Sequence, residues 1–195
     1  MTTIEQALTE LRAGRVVVIP TDTVYGLAAS LDRAEGIRAL FEIKGRPPSK
    51  ALPVLGSDSE SLRAVARMDG RMELIATRFW PGPLTVVLPR AQGFDRDLGG
   101  ANDGTVAVRV PASEMARRLL AASGPLAVTS ANRSGFPPAN SVDEARREFG
   151  DSVTAYLDDG PGAGSASTVV SLVGEPRVLR EGAVTEAELE EVLGE

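Results

Sequence analysis

The chain has 195 residues, 43% of them hydrophobic, and a formal charge of −6 with neither histidine nor cysteine; such a length predicts one domain over residues 1–195, built on one core. The missing cysteines exclude disulfides and thiolate metal sites, and the missing histidines exclude Ser-His-Asp and Cys-His mechanisms. The acidic balance argues against coating nucleic-acid backbone, no stretch approaches membrane-spanning length, and residues 1–12 lack the basic and apolar regions of a secretory signal, so a cytoplasmic protein with no membrane partner is expected.

Residues 3–13 predict a first helix, with Thr3 and Gln6 at capping-box spacing and Ile4, Leu8 and Leu11 on one face. Residues 16–19, an unbroken run rich in β-branched side chains and ended by Pro20, predict a central strand covered on both faces. A polar turn over residues 21–26 follows, and residues 27–31 resume an apolar segment. Helical patterns over 34–43, 59–65, 71–79, 114–122, 142–149 and 186–193 then alternate with strand-like runs over 52–55, 84–88, 106–110, 126–129, 168–172 and 177–179. That alternation predicts an α/β fold, a mixed sheet with helices packed on it. Residues 160–164 read as a loop, because a strand pattern resumes at once.

Five segments carry candidate chemistry. Pro20-Thr21-Asp22-Thr23-Val24-Tyr25-Gly26-Leu27 crowds hydroxyls, a carboxylate and a phenol where a buried strand ends, which is where open α/β sheets place ligands; it is equally a polar turn. Asp22 is the one candidate on the metal side, and the metal ligands are otherwise unassigned. All basic residues except Lys44 and Lys50 are arginine, and Lys44-Gly45-Arg46-Pro47-Pro48 with Lys50 gathers cations with no carboxylate between them. That combination of fork and point charge suits a triphosphate.

Strict alternation over Thr105-Val106-Ala107-Val108-Arg109-Val110 sends Thr105, Ala107 and Arg109 to one face, with Thr105 and Arg109 about 13 Å apart. They could serve two parts of one long ligand but not one atom; a solvated edge-strand Arg109 is the plainer reading. Thr129-Ser130-Ala131-Asn132 ends another strand and either caps a turn or holds a ligand. Residues 160–168 form a glycine-rich loop ending in Ser165, Ser167 and Thr168, with Arg180 beyond it. This is neither a Walker loop nor a dinucleotide fingerprint.

Taken together, residues 20–27, Lys44-Gly45-Arg46-Pro47, Trp80-Pro81-Gly82-Pro83-Leu84-Thr85, Val106-Ala107-Val108-Arg109, Ser130-Ala131-Asn132 and Ser167-Thr168 resemble, in order, the motifs of the YrdC-type threonylcarbamoyl-AMP synthases over about residues 5–193. The resemblance implies a YrdC-like fold, an open twisted sheet with flanking helices and a concave basic cleft. It also implies a nucleotidyltransferase that makes L-threonylcarbamoyladenylate from L-threonine, bicarbonate and ATP, releasing pyrophosphate, for threonylcarbamoyl modification of adenosine in tRNA. Downstream transferase machinery would take up the product.

Carried over by position, Thr21, Arg109 and Ser167 would hold threonine, and Lys44, Arg46, Thr105, Ser130, Asn132 and Arg180 the nucleotide. Pro138 falls where some members have a polar residue on ATP, so a contact there would use its backbone. Lys44, Arg46 and Lys50, with Mg2+ bound to ATP, would neutralise charge during transfer. The chain resembles the short form without an appended C-terminal domain. The alternative is a non-catalytic RNA-binding factor in tRNA or ribosome maturation; acidic charge and an aromatic content of 4% leave room only for weak RNA binding.

Overall fold

A computed structural model describes residues 2–101 and 103–194. The capping box forms as expected: Thr3 Oγ1 accepts from the Gln6 amide at the start of α1 (Ile4–Arg12), and Gln6 Oε1 accepts from the Thr3 amide. Every described strand joins one mixed sheet. It comprises β1 (Val17–Ile19), β2 (Gly26–Ser30), β3 (Val54–Leu55), β4 (Leu84–Pro89), β5 (Thr105–Arg109), β6 (Leu126–Ser130), β7 (Ala155–Tyr156), β8 (Thr168–Ser171) and β9 (Arg177–Arg180). The spatial order is β7-β1-β2-β6-β3-β5-β4-β8-β9, with parallel pairing of β1 to β7, β3 to β5 and β4 to β8, and antiparallel pairing elsewhere.

Two layers of unequal extent cover this sheet. One face, through Val18, Leu27, Val54, Val86, Val108 and Val170, packs in a core with Ile37 and Leu40 of α2 (Ala34–Lys44), Met72 and Ile75 of α4 (Gly70–Phe79), Phe149 of α6 (Val142–Phe149) and Leu189 of α7 (Glu186–Leu193). The opposite face buries Val17, Ile19, Ala28, Leu55, Leu126 and Val128 against α1 and α5 (Glu114–Ser123), which contribute Leu8, Leu11, Leu119 and Leu120. Each such side chain taken fully from water contributes roughly 1.5–3 kcal/mol.

The second layer stops there. Along β5 and just past its end, Val106, Val108 and Val110 enter the first core, while Thr105 and Ala107 on the other side stay half-buried. The expected alternation is therefore present, and the uncovered part of that face is the floor of a cleft.

Three expectations are corrected. The strand over 16–19 is the second from the sheet edge, not central, because the short β7 is its only outer neighbour; it reads as central since both layers cover it. Residues 52–55 yield only the two-residue β3, and 59–65 only α3 (Ser59–Leu62). Among the described residues no helix is long and apolar enough to cross a membrane.

Candidate active site

The cleft holds about 500 Å³ and is lined from β2, β6, β3, β5, β4, β8 and β9, together with the loops after β1 and β6. That volume suits a small-molecule site. Its charged lining residues are Arg46, Arg109 and Arg180; the lining includes no carboxylate.

At one end Arg109, 5% exposed, is the final residue of β5, so a buried central strand carries it and the solvated-edge reading fails. Its Nε donates to the Gly82 carbonyl at 2.9 Å, Nη1 to Thr23 Oγ1 at 2.9 Å and Nη2 to Asp22 Oδ1 at 2.7 Å. A guanidinium has five N–H donors, and three of those of Arg109 have these partners. Burial pushes Arg109 down from its ordinary value, and Asp22 works against that push. Asp22 Oδ1 also accepts from the Ala112 amide at 2.8 Å. The metal-side candidate thus serves as a guanidinium partner and a loop tie.

Thr21, 8% exposed, accepts from the amides of Thr23 and Val24 at 3.2 Å each, which folds the turn after β1 on itself. Ser167 Oγ lies 2.8 Å from Thr85 Oγ1. The Ser167 carbonyl accepts from Arg180 Nε and Nη2 at 3.1 and 2.7 Å. Tyr25, fully buried, also lines the cleft, and its hydroxyl donates to the Gly160 carbonyl at 2.7 Å. Burial, more than the nearby Asp158, pushes that phenol up to about 12.

The expected convergence holds for Lys44 and Arg46, which are neighbours, so that Arg46 helps to bring the Lys44 pKa down, and does not extend to Lys50. Arg46 lines the cleft, its Nε and Nη2 held by the carbonyls of Lys50 and Ala51 at 2.8 and 2.6 Å. Lys44 is 4% exposed and does not line it. Its ammonium lies 2.7 and 3.2 Å from the Ser130 carbonyl and hydroxyl, and 3.0 and 2.9 Å from the Asn132 carbonyl and Oδ1. Lysine prefers that arrangement because a compact ammonium can face several oxygens at once. Lys50 is exposed and outside the lining.

Ser130, Asn132 and Pro138 do line the cleft. Thr105 does not: it begins β5 at the opposite end from Arg109, and its hydroxyl donates to Asp103 Oδ1 at 2.6 Å. Thr23, Thr85 and Phe136 are among the lining residues that were not assigned from sequence. Thr23 and Thr85 lie inside quoted motifs, and alternation along β4 would have placed Thr85 on the open face; Phe136 carries no local signal.

The family model Sua5_yciO_yrdC, described as telomere recombination, matches residues 9–182. A Mycobacterium leprae protein is 45% identical over 196 residues, covering 98% of this chain and 88% of its own length. The Pyrococcus abyssi threonylcarbamoyl-AMP synthase is 40% identical over 189 residues, 95% of this chain but 55% of that protein. The crystal structure of P. abyssi Sua5 complexed with L-threonine superposes with a TM-score of 0.92 at 39% identity, over 98% of this chain and 57% of that one. This chain spans little more than half the length of that archaeal relative. From its sequence motifs, its mixed sheet and its match over residues 9–182, the chain belongs to the Sua5/YciO/YrdC family.

Proposed function

We propose that the protein joins L-threonine, bicarbonate and ATP into L-threonylcarbamoyladenylate and pyrophosphate, supplying the group that a downstream transferase places on adenosine in tRNA. One observation carries this reading: a buried Arg109 with spare donors shares a cleft of about 500 Å³ with Arg46 and Arg180 and no lining carboxylate. A carboxylate and a polyphosphate together match that charge pattern. The L-threonine complex of P. abyssi Sua5 supports the amino-acid half.

The chemistry needs no protein nucleophile. The threonine amine attacks the bicarbonate carbon, water departs, and a carbamate results. A carbamate oxygen then bonds to the α-phosphorus while the bond to the bridging oxygen of pyrophosphate breaks. Arg109 holds the threonine carboxylate with its remaining N–H donors, and Thr21, Thr23 and Ser167 offer hydroxyls to the amino acid. Arg46 and Arg180 neutralise phosphate charge, while Ser130, Asn132 and the Pro138 backbone flank the nucleoside. Catalysis is then chiefly alignment and charge stabilisation.

Among the described residues no group of three acidic side chains is placed to hold a metal. Mg2+ would enter as Mg·ATP and would supply charge neutralisation on the phosphates beside Arg46 and Arg180. Lys50 and Thr105 lie outside the lining of this cleft.

Pyrophosphate release from ATP by the purified protein, measured with and without L-threonine and bicarbonate, tests the reading. Release that requires both co-substrates is expected. Release indifferent to either, or none at all beside tight binding of tRNA, would sink it.

A further inference from the structure

Leu74, Phe136, Val173 and Leu179 are the exposed large apolar residues among those described, and of these Phe136 alone lines the cleft. At 66% exposed it is unremarkable by that measure, since single apolar side chains are common on surfaces. Its backbone is what sets it apart. The Phe136 amide donates to the Arg133 carbonyl at 3.1 Å, and its carbonyl accepts from Asn132 Nδ2 at 2.7 Å. The same loop is tied by the Ser134 amide to the Lys44 carbonyl at 2.8 Å and by the Ala139 amide to the Ala131 carbonyl at 2.8 Å.

Gly135, at a φ of 93°, supplies the left-handed residue that turns the loop before the ring. Pro137 and Pro138 restrict the chain beyond it. The ring is therefore presented to the cleft mouth by a stiff loop. Tyr25, the other aromatic residue of the lining, is fully buried with its hydroxyl engaged, so Phe136 is the aromatic face open to a ligand.

We propose that Phe136 is the stacking wall for the adenine base of ATP and sets the preference for purine nucleotides; this rests on the ATP reading above. A base offers a flat π-face that an exposed ring can cover, and the gain is worth an affinity factor of roughly 5–150. Stacking at the mouth leaves the triphosphate to run inward toward Arg46 and Arg180. A larger purine covers more of the ring than a pyrimidine does, so ATP outcompetes CTP and UTP through this contact.

Two variants test it. Phe136→Trp places an indole at the mouth, with wild-type protein as control for the buried Trp80. Its added emission is expected to be quenched by ATP and by AMP but not by tripolyphosphate. Phe136→Ala should raise the KM for ATP about tenfold and leave that for threonine unchanged, with Phe136→Trp restoring it. An indole silent to ATP, or quenched equally by tripolyphosphate, overturns the proposal, as does an alanine variant whose ATP KM moves less than about twofold. Quenching needs no turnover, so it decides the stacking even if wild-type protein releases no pyrophosphate. That latter failure would overturn the reaction, and silence of the indole in an active enzyme would overturn the stacking alone.

Discussion

The Lys44 ammonium lies 2.9 Å from Oδ1 of Asn132 and 3.0 Å from the carbonyl of the same residue, so one cation fixes both side chain and backbone of the loop after β6. Asn132 passes the constraint on, because its Nδ2 donates to the carbonyls of Arg133 and Phe136 at 2.8 and 2.7 Å. Lys44→Met keeps the stem but strands buried acceptors, at about 1–3 kcal/mol for each group left unpaired. A stability loss of about 3 kcal/mol is expected by chemical denaturation, with ATP affinity weakened more than threonine affinity. Lys44→Arg should be impaired as well, since a planar fork cannot converge on oxygens arranged for an ammonium.

Lys44 also predicts a pH dependence. Burial first, and the neighbouring Arg46 second, bring its pKa down from 10.5 to about 8. As pH rises through that value the ammonium loses a donor to the Ser130–Asn132 loop, and ATP affinity should fall. Stability responds with the opposite sign. Between about 8 and 10.5 the unfolded chain keeps a proton that the folded one has released, so this group makes folding more favourable as pH rises. Calorimetric titration with ATP from about pH 7 to about pH 9.5 should show weakening without unfolding. Lys44→Arg, which does not titrate there, should bind more weakly but with a flat profile.

Arg109 and Asp22 form an ion pair whose side chains are 6% and 17% exposed. Arg109→Ala leaves the carboxylate unpaired, which costs about 3–5 kcal/mol for a buried pair. Arg109→Lys keeps the charge yet cannot span the Gly82 carbonyl, Thr23 and Asp22 together. Both variants should raise the KM for threonine at least about tenfold with a smaller change for ATP. Asp22→Asn retains an acceptor for the Ala112 amide but leaves the more deeply buried guanidinium without its counter-charge, so a loss of about 3 kcal/mol is expected there too.

These residues also mark the limit of what the sequence discloses. Alternation along β5 put Arg109 on the open side of the sheet, and the capping box located α1, because both patterns are local. Lys44 shows how local reading fails: its acceptors lie 86 and 88 residues away, and backbone carbonyls carry no mark in a sequence. A cation without nearby carboxylates therefore looked free when it was the most heavily engaged. β7 was missed for a related reason, since two residues are too few for a period, and only pairing with β1 defines them. Phe136 reads as an ordinary loop residue until the fold brings its loop to the cleft.

Gly182 offers a test of how rigidly the threonine end is held. A β-carbon there would lie 2.4 Å from the Ala166 carbonyl oxygen, 2.5 Å from the Thr168 nitrogen and 2.6 Å from the Ser167 carbonyl carbon. All three are backbone atoms, so no side chain can swing away to admit a methyl group. Gly182→Ala must push the segment bearing Ser167, which disturbs its contact with Thr85 and the anchorage of Arg180. The expected result is a loss of about 1–3 kcal/mol, the usual cost of overpacking, together with a threonine KM raised about tenfold. Gly70→Ala is the matched control: at the start of α4 the added methyl meets nothing within 4 Å, and both quantities should stay at their wild-type values. Equal behaviour of the two variants would mean that the Ser167 segment yields freely and that its hydroxyl is not held in place for the substrate.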